Sequence, residues 1–402
     1  MKSVSNNLDV KIANAEKIYT MLRGNGGMTK SQLVTQVGLS FASVSNICTS
    51  LADAGLVMVT ESARSTGGRK AARVAFVSDN RYTLVIDLHH TQHVYLGMVD
   101  LENTIRNHTR FEVASDDSLE TILTHIQQAY MDLDSQGDYP LLGVCVGISA
   151  VYDPHAGVVL RSSNPVFEGV HLHRHIAELF PDHMVIVDND ANLAGLSQMM
   201  QSQRNQKNLL FIFLTQGVGL GIMINGMLYR GTNGYAGELG HIKVSEVNTR
   251  CKCGGVGCLR TVATLESIAH DLGEFDQLHA KSTSTEYAAV LARRYKLQET
   301  IVVDRVDLCA RKLGEVVAEL FDLFNPQEIV FGGNLGDLFP LVRNTLRQQA
   351  MELSNLARAV DLPIRYITRP TYELVLSGGG ERMFHWWMQH GAWYQLGDLN
   401  TK

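Results

Sequence analysis

The sequence predicts an α/β protein in which a small N-terminal winged helix-turn-helix precedes a larger body of mixed sheet and helix. Three observations predict it. Residues 12 to 54 carry three short helical patterns, with a glycine turn between the last two. Two strand patterns then flank a glycine-rich basic tip at 65 to 70. From Arg81 the texture changes to successive strands followed by alternating strand and helix, as a mixed sheet requires.

Taken in order, Ile12, Ile18, Tyr19 and Leu22 share a stripe that predicts a helix over 12 to 23. Thr29 is placed to cap a short helix ending at Val37, and Gly38-Leu39-Ser40 reads as a tight turn. Ser40 then caps a helix from Phe41 to Ala54. Leu33, Val37, Leu39, Val44, Ile47, Leu51 and Leu56 supply the apolar packing that a helix-turn-helix needs. The other face of the third helix carries Ser43, Asn46 and Thr49, small polar groups able to approach base edges in a major groove. A three-helix packing module with no DNA contact would show the same apolar pattern.

Leu56 to Glu61 and Ala72 to Val77 read as strands around Ser65-Thr66-Gly67-Gly68-Arg69-Lys70. In a wing, Arg69 and Lys70 would reach phosphates or a minor groove; a plain hairpin tip is the other reading. Charge favours the wing. Residues 1 to 75 hold nine Lys and Arg against four acids, a net +5, which leaves −11 of the overall −6 on the remainder. A basic module on an acidic body implies a polyanion partner, double-stranded DNA, for the first part only.

The 402 residues suffice for two or three domains at about 150 residues each, and we place the boundary at 1–78 and 79–402. An apolar fraction of 45% with 19% charged residues is ordinary for a globular chain. No run of about 18 apolar residues and no N-terminal apolar segment occurs, so neither membrane insertion nor export is expected, and a cytoplasmic site is. Cys48, Cys145 and Cys309 stand alone in apolar contexts and read as buried thiols.

In the body, Tyr82 to Leu88, His93 to Asp100 and Thr104 to Val113 are strand patterns, followed by a helix from Leu119 to Leu133 and a buried strand at 141 to 146. Val185 to Val187 is a further strand, ending in Asp188-Asn189-Asp190-Ala191-Asn192 and a helix from about Leu193 to Gln201. Strand ends in α/β sheets are where ligands sit, although the same acids would also cap the helix. His171, His173 and His175 read as a surface cluster. Helices are expected at Ala263–Leu272, Thr285–Tyr295, Val306–Phe324 and Phe339–Leu353, and a buried strand at 328 to 333. A final helix from about Glu381 to Trp393 carries more large apolar groups than one stripe holds, so part of it should dock on another surface.

The strongest local signal is Gly237-Glu238-Leu239-Gly240-His241, followed by Cys251, Cys253 and Cys258. One imidazole and three thiolates within 18 residues, half of the six cysteines among them, suit a closed tetrahedral Zn2+ site spanning 241–258. Such a site holds structure and does no chemistry.

This run with its cysteines resembles the signature of the ROK family of bacterial sugar kinases and sugar-responsive repressors, and Gly67-Gly68-Arg69 resembles the linker of its repressor branch. The resemblance implies a two-lobed actin-like ATPase fold for the body. It implies that Glu238 contacts sugar hydroxyls, that His241 binds both zinc and sugar, that Asn189 binds hydroxyls, and that Asp190 matches the base that deprotonates the attacking hydroxyl. Asn164, in Ser163-Asn164-Pro165, matches a sugar-side loop.

The departures are equally specific. The family's Asp-x-Gly-Gly-Thr-Lys phosphate loop is here Asp87-Leu88-His89-His90-Thr91-Gln92, which loses both room and charge. A second phosphate loop has become Thr215-Gln216-Gly217-Val218-Gly219-Leu220-Gly221. A sugar-contacting glutamate is replaced by Arg260, a donor-only cation. These features imply a vestigial base at Asp190, no kinase reaction, and a repressor of sugar uptake or metabolism genes. The inducer would be a sugar, a sugar phosphate or a sugar-transport protein, and the assembly a homodimer or homotetramer. The competing reading is a zinc-containing sugar kinase with a regulatory DNA-binding domain.

Overall fold

The computed structural model describes residues 7–61, 72–137, 139–201, 207–280, 284–360 and 362–391. The chain opens with helix Asn7–Asn25, the two-residue strand β1 (Met28–Thr29), helix Lys30–Val37 and helix Phe41–Asp53. Thr29 and Gln32 form a reciprocal capping box: the Thr29 hydroxyl accepts the Gln32 N–H at 3.2 Å and the Gln32 side-chain oxygen accepts the Thr29 N–H at 2.8 Å. Gly38 ends that helix at φ 75°, a left-handed cap that glycine adopts without strain. Ser40 caps the next helix by accepting the Ser43 N–H at 3.1 Å. Strands β2 (Val57–Glu61) and β3 (Ala72–Phe76) complete a winged helix-turn-helix as an antiparallel sheet in the order β1-β3-β2. Residues 65 to 70, including Arg69 and Lys70, lie outside the described residues.

The body contains two five-stranded mixed sheets. The first is built from β4 (Tyr82–Leu88), β5 (His93–Asp100), β6 (Ile105–Glu112), β7 (Leu141–Ile148) and, after the small ribbon of β8 (Ala150–Asp153) and β9 (Val158–Ser162), β10 (Val185–Asn189). Its order is β10-β7-β4-β5-β6, antiparallel within the β4-β5-β6 meander and parallel from β4 through β7 to β10. The second sheet repeats the design with β11 (Leu209–Leu214), β12 (Val218–Ile224), β13 (Met227–Leu228), β14 (Glu328–Gly333) and β15 (Ile364–Ile367), in the order β13-β12-β11-β14-β15. This duplication is the two-lobed architecture implied above.

Between the lobes lie helix Asp190–Gln201 and the final helix, Thr371–Gln389. Their Leu193, Ala194, Leu374, Val375 and Leu376 share one buried cluster with Val85 and Cys145 of the first sheet and Phe211 and Val330 of the second. The two helices touch so closely that a Cβ at Gly378 would fall on the carbonyl oxygen of Leu193. The first helix begins at Asn7 rather than Ile12, the helix expected at Val306–Phe324 begins at Thr300, and three further expected boundaries are corrected. The final helix begins at Thr371, ten residues before the expected start, because Gly378-Gly379-Gly380 lowers helix propensity by about 1 kcal/mol per residue and tight packing overrides it. The helix after β10 begins at Asp190 rather than Leu193. The expected helix Ala263–Leu272 is broken at Thr264, which caps a new helix Leu265–Asp271 after the short Arg260–Ala263 turn.

The end of the final helix docks on the N-terminal winged module. Phe384, Trp387 and Met388 are buried with Ile18, Tyr19, Leu22 and Leu51, and the Phe384 and Tyr19 rings lie 4.6 Å apart. Trp393 is outside the described residues. Beside this cluster the Glu381 carboxylate, 1% exposed, accepts from Arg23 at 2.9 Å and Asn103 at 2.7 Å, with His385 at 3.0 Å. Arg23 and His385 hold its pKa well below the carboxylate range against the opposing pull of burial. Glu381→Gln leaves Arg23 buried with a neutral partner, and removing one member of a buried pair costs about 3–5 kcal/mol. Hydrogen exchange should then show lost protection across Asn7–Asn25, with strands β11 and β14 unaffected.

Candidate functional site

The segment after β13 leads through a turn at Leu239–His241 into two short bridges, Lys243 with Cys258 and Arg250 with Val256, which fold 241–258 into a compact knuckle. The ligand atoms of His241, Cys251, Cys253 and Cys258 all lie within 4.8 Å of one another. The Cys253 and Cys258 sulfurs are 3.6 Å apart, and the Cys251 sulfur is 3.9 Å from His241 Nδ1. A tetrahedral zinc with Zn–S near 2.3 Å sets its sulfurs about 3.8 Å apart, so the donors present fit the ion. Lys243 Nζ, 2.9 Å from Cys258 Sγ, supplies a cation for the clustered thiolates. Leu259, Val262 and Ala263, directly after the last cysteine, are buried in the second lobe. The knuckle thus anchors the loop of Glu238 and His241 to the helix that carries Arg260.

Asp190 and Glu238 lie close enough for the Asp190 charge to act on Glu238. Burial pushes the Asp190 carboxyl up to about 6; His89 opposes this and Asp87 adds to it. Burial likewise raises Glu238 to about 7, with Asp190 adding and Arg260 opposing. Arg260 donates to the Gln216 carbonyl at 3.0 Å. Among the sequence-predicted residues, the structure therefore brings together Asp190, Glu238, Arg260 and His241, whose pKa burial lowers and the nearby Arg260 charge lowers further.

Asn189 is nearby but spends its side chain on structure. Its Oδ1 accepts the Ala191 N–H at 2.9 Å and its Nδ2 donates to the Ala150 carbonyl at 3.2 Å. Asn164 caps a turn by accepting the Val166 N–H at 3.2 Å. Its loop is held next to Ser149, whose carbonyl accepts the Ser163 N–H at 3.1 Å and whose hydroxyl reaches Asp190.

Two features escaped sequence reasoning. Asp188 is a buried hub, bonded to Arg230 at 2.6 Å, Arg382 at 3.0 Å and Asn192 at 2.9 Å. Burial opposes its charge, but the two guanidiniums hold its pKa below the ordinary value. No local spacing links partners 42 and 194 residues away. The second is in the turn after β4, where His89 folds back on Asp87: Nδ1 lies 2.6 and 2.8 Å from the two carboxylate oxygens, and both residues are buried. Gln216 Nε2 donates to Thr91 Oγ1 at 2.8 Å, joining the two loops across the lobes.

On the winged helix-turn-helix, Ser43, Asn46 and Thr49 are exposed along one face of helix Phe41–Asp53, opposite buried Val44, Ile47 and Leu51. Thr49 Oγ1 returns a bond to the Ser45 carbonyl at 3.0 Å, and Ser43 pairs with the Ser40 hydroxyl at 2.9 Å. His171 and His173 are exposed and His175 is half-buried, as a surface cluster requires.

The ROK family model matches residues 84–364. The chain belongs to the ROK family. Its relatives include the xylose repressor of Bacillus spizizenii, 24% identical over 343 residues that cover 85% of this chain and 87% of that protein. NagC of Escherichia coli K12, a DNA-binding transcriptional dual regulator, is 25% identical over 353 residues covering 85% and 86%. A crystal structure of a ROK family transcriptional regulator, a homologue of the E. coli MLC protein, superposes with a TM-score of 0.78 at 21% identity over 94% of this chain and 97% of that one. A ROK glucokinase from Streptomyces griseus, with glucose and AMPPNP, superposes at 0.62 and 21% identity over 75% of this chain and 98% of its own. The ROK fold is therefore shared with both regulators and kinases.

The Asp190 shift fixes a sign for stability. A carboxyl whose folded pKa is raised binds its proton more tightly when folded, so stability falls as pH climbs from the unfolded value near 3.9 toward 6 and stays lower above. Asp190→Asn should raise stability at pH 7 by up to about 3 kcal/mol and flatten its dependence between pH 4 and 6, measured by urea unfolding across that range.

Proposed function

We propose that this ROK protein is a DNA-binding transcriptional repressor of sugar uptake or metabolism genes, with residues 1–78 as the DNA-binding unit and 79–402 as the ligand-reading body. One observation carries the reading: a winged module with an exposed small-polar helix face is docked by the final helix onto a kinase-like body. The named relatives support it, since the xylose repressor and NagC are regulators that the chain spans over most of their length. The inducer is a sugar, a sugar phosphate or a sugar-transport protein, and the protein acts in the bacterial cytoplasm, where operator DNA lies. A homodimer or homotetramer would place two recognition helices on a pseudo-palindromic site. In this reading Ser43, Asn46 and Thr49 meet base edges, Arg69 and Lys70 meet the backbone, and Asn164, Asn189, Asp190, Glu238, His241 and Arg260 line the ligand site. Zinc on His241, Cys251, Cys253 and Cys258 supplies rigidity to that site.

Communication runs along the final helix. Arg382 binds Asp188, which immediately precedes Asn189 and Asp190, while its neighbour Glu381 binds Arg23 of the DNA-type module. A ligand shifts the equilibrium only if it favours one arrangement of this linkage over the other. Asp190, with a pKa near neutrality, also suits a general base, and this favours the second reading of a zinc-containing sugar kinase with a regulatory domain. ATP turnover on a sugar panel would establish that reading; its absence leaves the repressor.

Selection of bound duplexes from a randomised pool should yield a pseudo-palindrome, and failure to enrich any sequence would count against the repressor. Asn46→Ala should weaken binding to that duplex by about tenfold or more without changing its salt dependence. Arg382→Met, which leaves Asp188 paired with Arg230, should keep both operator and inducer binding. Its ratio of operator affinities without and with inducer should collapse from a typical 5- to 150-fold toward one; an unchanged ratio would remove the final helix from the pathway.

A further inference from the structure

Phe41 is the one large apolar side chain that helix Phe41–Asp53 leaves in water. It is 57% exposed, while Val44, Ile47, Cys48 and Leu51 of the same helix are at most 4% exposed. An aromatic ring is the largest apolar surface a helix can bury, and here the fold leaves it unburied. The helix cap does not use it either. Ser40 accepts the Ser43 N–H at 3.1 Å, and the two positions of a hydrophobic staple, Leu39 before the cap and Val44 one turn in, belong to the core cluster of the winged module.

The neighbours of Phe41 indicate what covers it. Ala42, Asn46 and Thr49 recur at the spacing of one helix face and are exposed. Ser45, one turn on from Phe41, accepts a bond from Lys30 Nζ at 2.9 Å, which puts a cation of the preceding helix on the same side. From Ala42 to Thr49 the exposed side chains are all small, so the helix can come close to a partner and the Phe41 ring reaches furthest toward it. One ring among small polar groups is no apolar patch of the kind a protein partner buries, whereas the net +5 of residues 1 to 75 complements a polyanion.

In a helix-turn-helix the N-terminal residues of the second helix meet base edges, and Phe41 is the first residue of that helix. Thymine is the base that shows an apolar group in the major groove, its C5 methyl, and a phenyl ring is among the side chains that pack on it. The Asn46 amide can recognise donors and acceptors but not that methyl.

We propose that Phe41 is a sequence-reading residue whose ring packs on the C5 methyl of a thymine in each operator half-site, within about two base steps of the base that Asn46 contacts. The spacing follows from five residues of helix, about 7.5 Å along its axis, against about 3.4 Å per base step. This rests on the DNA-binding reading above and names a base within it.

The test uses the full-length zinc-loaded protein and the duplex selected from the randomised pool, with each thymine replaced in turn by deoxyuridine. The replacement removes the methyl and leaves every hydrogen-bonding group of the base in place. At one thymine in each half-site it should weaken binding about fourfold, the worth of one buried carbon, read by fluorescence anisotropy at a fixed salt concentration. Phe41→Ala should bind the thymine and deoxyuridine duplexes with affinities within about 1.5-fold of each other, since alanine leaves little apolar surface to cover a methyl. Phe41→Leu should restore part of the difference, and neither variant should change the salt dependence, because no phosphate contact is lost. Phe41 lies outside the core, so both variants keep the fold. Equal binding of every deoxyuridine duplex by the unaltered protein, or an undiminished thymine preference in Phe41→Ala, overturns the proposal and leaves the DNA-binding reading standing. Failure to select any duplex removes both.

Discussion

The buried carboxylate of Glu381 is the constraint on which the arrangement of the molecule depends. A carboxylate this deep is tolerated only when it is paired and hydrogen-bonded, and its partners come from three places: Arg23 from the first helix, Asn103 from the turn between β5 and β6, and His385 from its own helix. Satisfying Glu381 therefore fixes the winged module against the first lobe. The aromatic contact of Tyr19 with Phe384 adds apolar burial to the same seam. Successive residues on a helix point about 100° apart, so Arg382 turns away from that seam and toward Asp188. Two adjacent side chains thus bind the DNA-type module and the floor of the cleft, and the helix between them is held rigid by glycine contacts against Leu193, Val85 and Val99.

The cleft shows how position, not residue type, sets chemistry. Asp188 and Asp190 are both buried and lie two residues apart, yet their pKa values move in opposite directions. Asp188 has two guanidiniums and an amide; Asp190 has one imidazole that is already committed to Asp87. The first is a permanent anion and holds structure. The second is poised near neutrality, where a group can exchange protons or match either sense of a hydroxyl bond.

Much of the fold was legible because it is written in local patterns. The capping residues Thr29 and Ser40, the strand patterns of β4 to β6 and the Cys-x-Cys run each depend on neighbours within a few positions, and the structure follows them closely. What was illegible depends on partners far along the chain. Gly378-Gly379-Gly380 argues against a helix until Leu193, Val85 and Val99 are seen to require it. Asp188 looked like a cap residue, and only Arg230 and Arg382 reveal it as a hub. His89 could be read as a loss of glycine, but its pairing with Asp87 needed the turn of the hairpin in three dimensions. Asn189 and Asn164 show the converse: motif matches whose side chains are in part spent on capping.

The departure of Asp87–Gln92 from the family's phosphate-loop motif bears on why a regulator of this family would have a kinase-like fold. Phosphoryl transfer needs two ligands held in line, and a transfer enzyme must release what it has made. In the proposed reading, buried His89 stands in the stretch that matches the family's first phosphate loop, and Gln216 ties the two loops to each other. A repressor's site comes to equilibrium with its ligand without consuming it. Occupancy then follows the concentration of that ligand rather than its rate of conversion, which a repressor requires if its affinity for DNA is to report how much sugar the cell holds. In the proposed reading Asp190 and Glu238 serve recognition of the ligand, and a departure at the phosphate loop is tolerated because recognition, unlike transfer, does not need the second substrate.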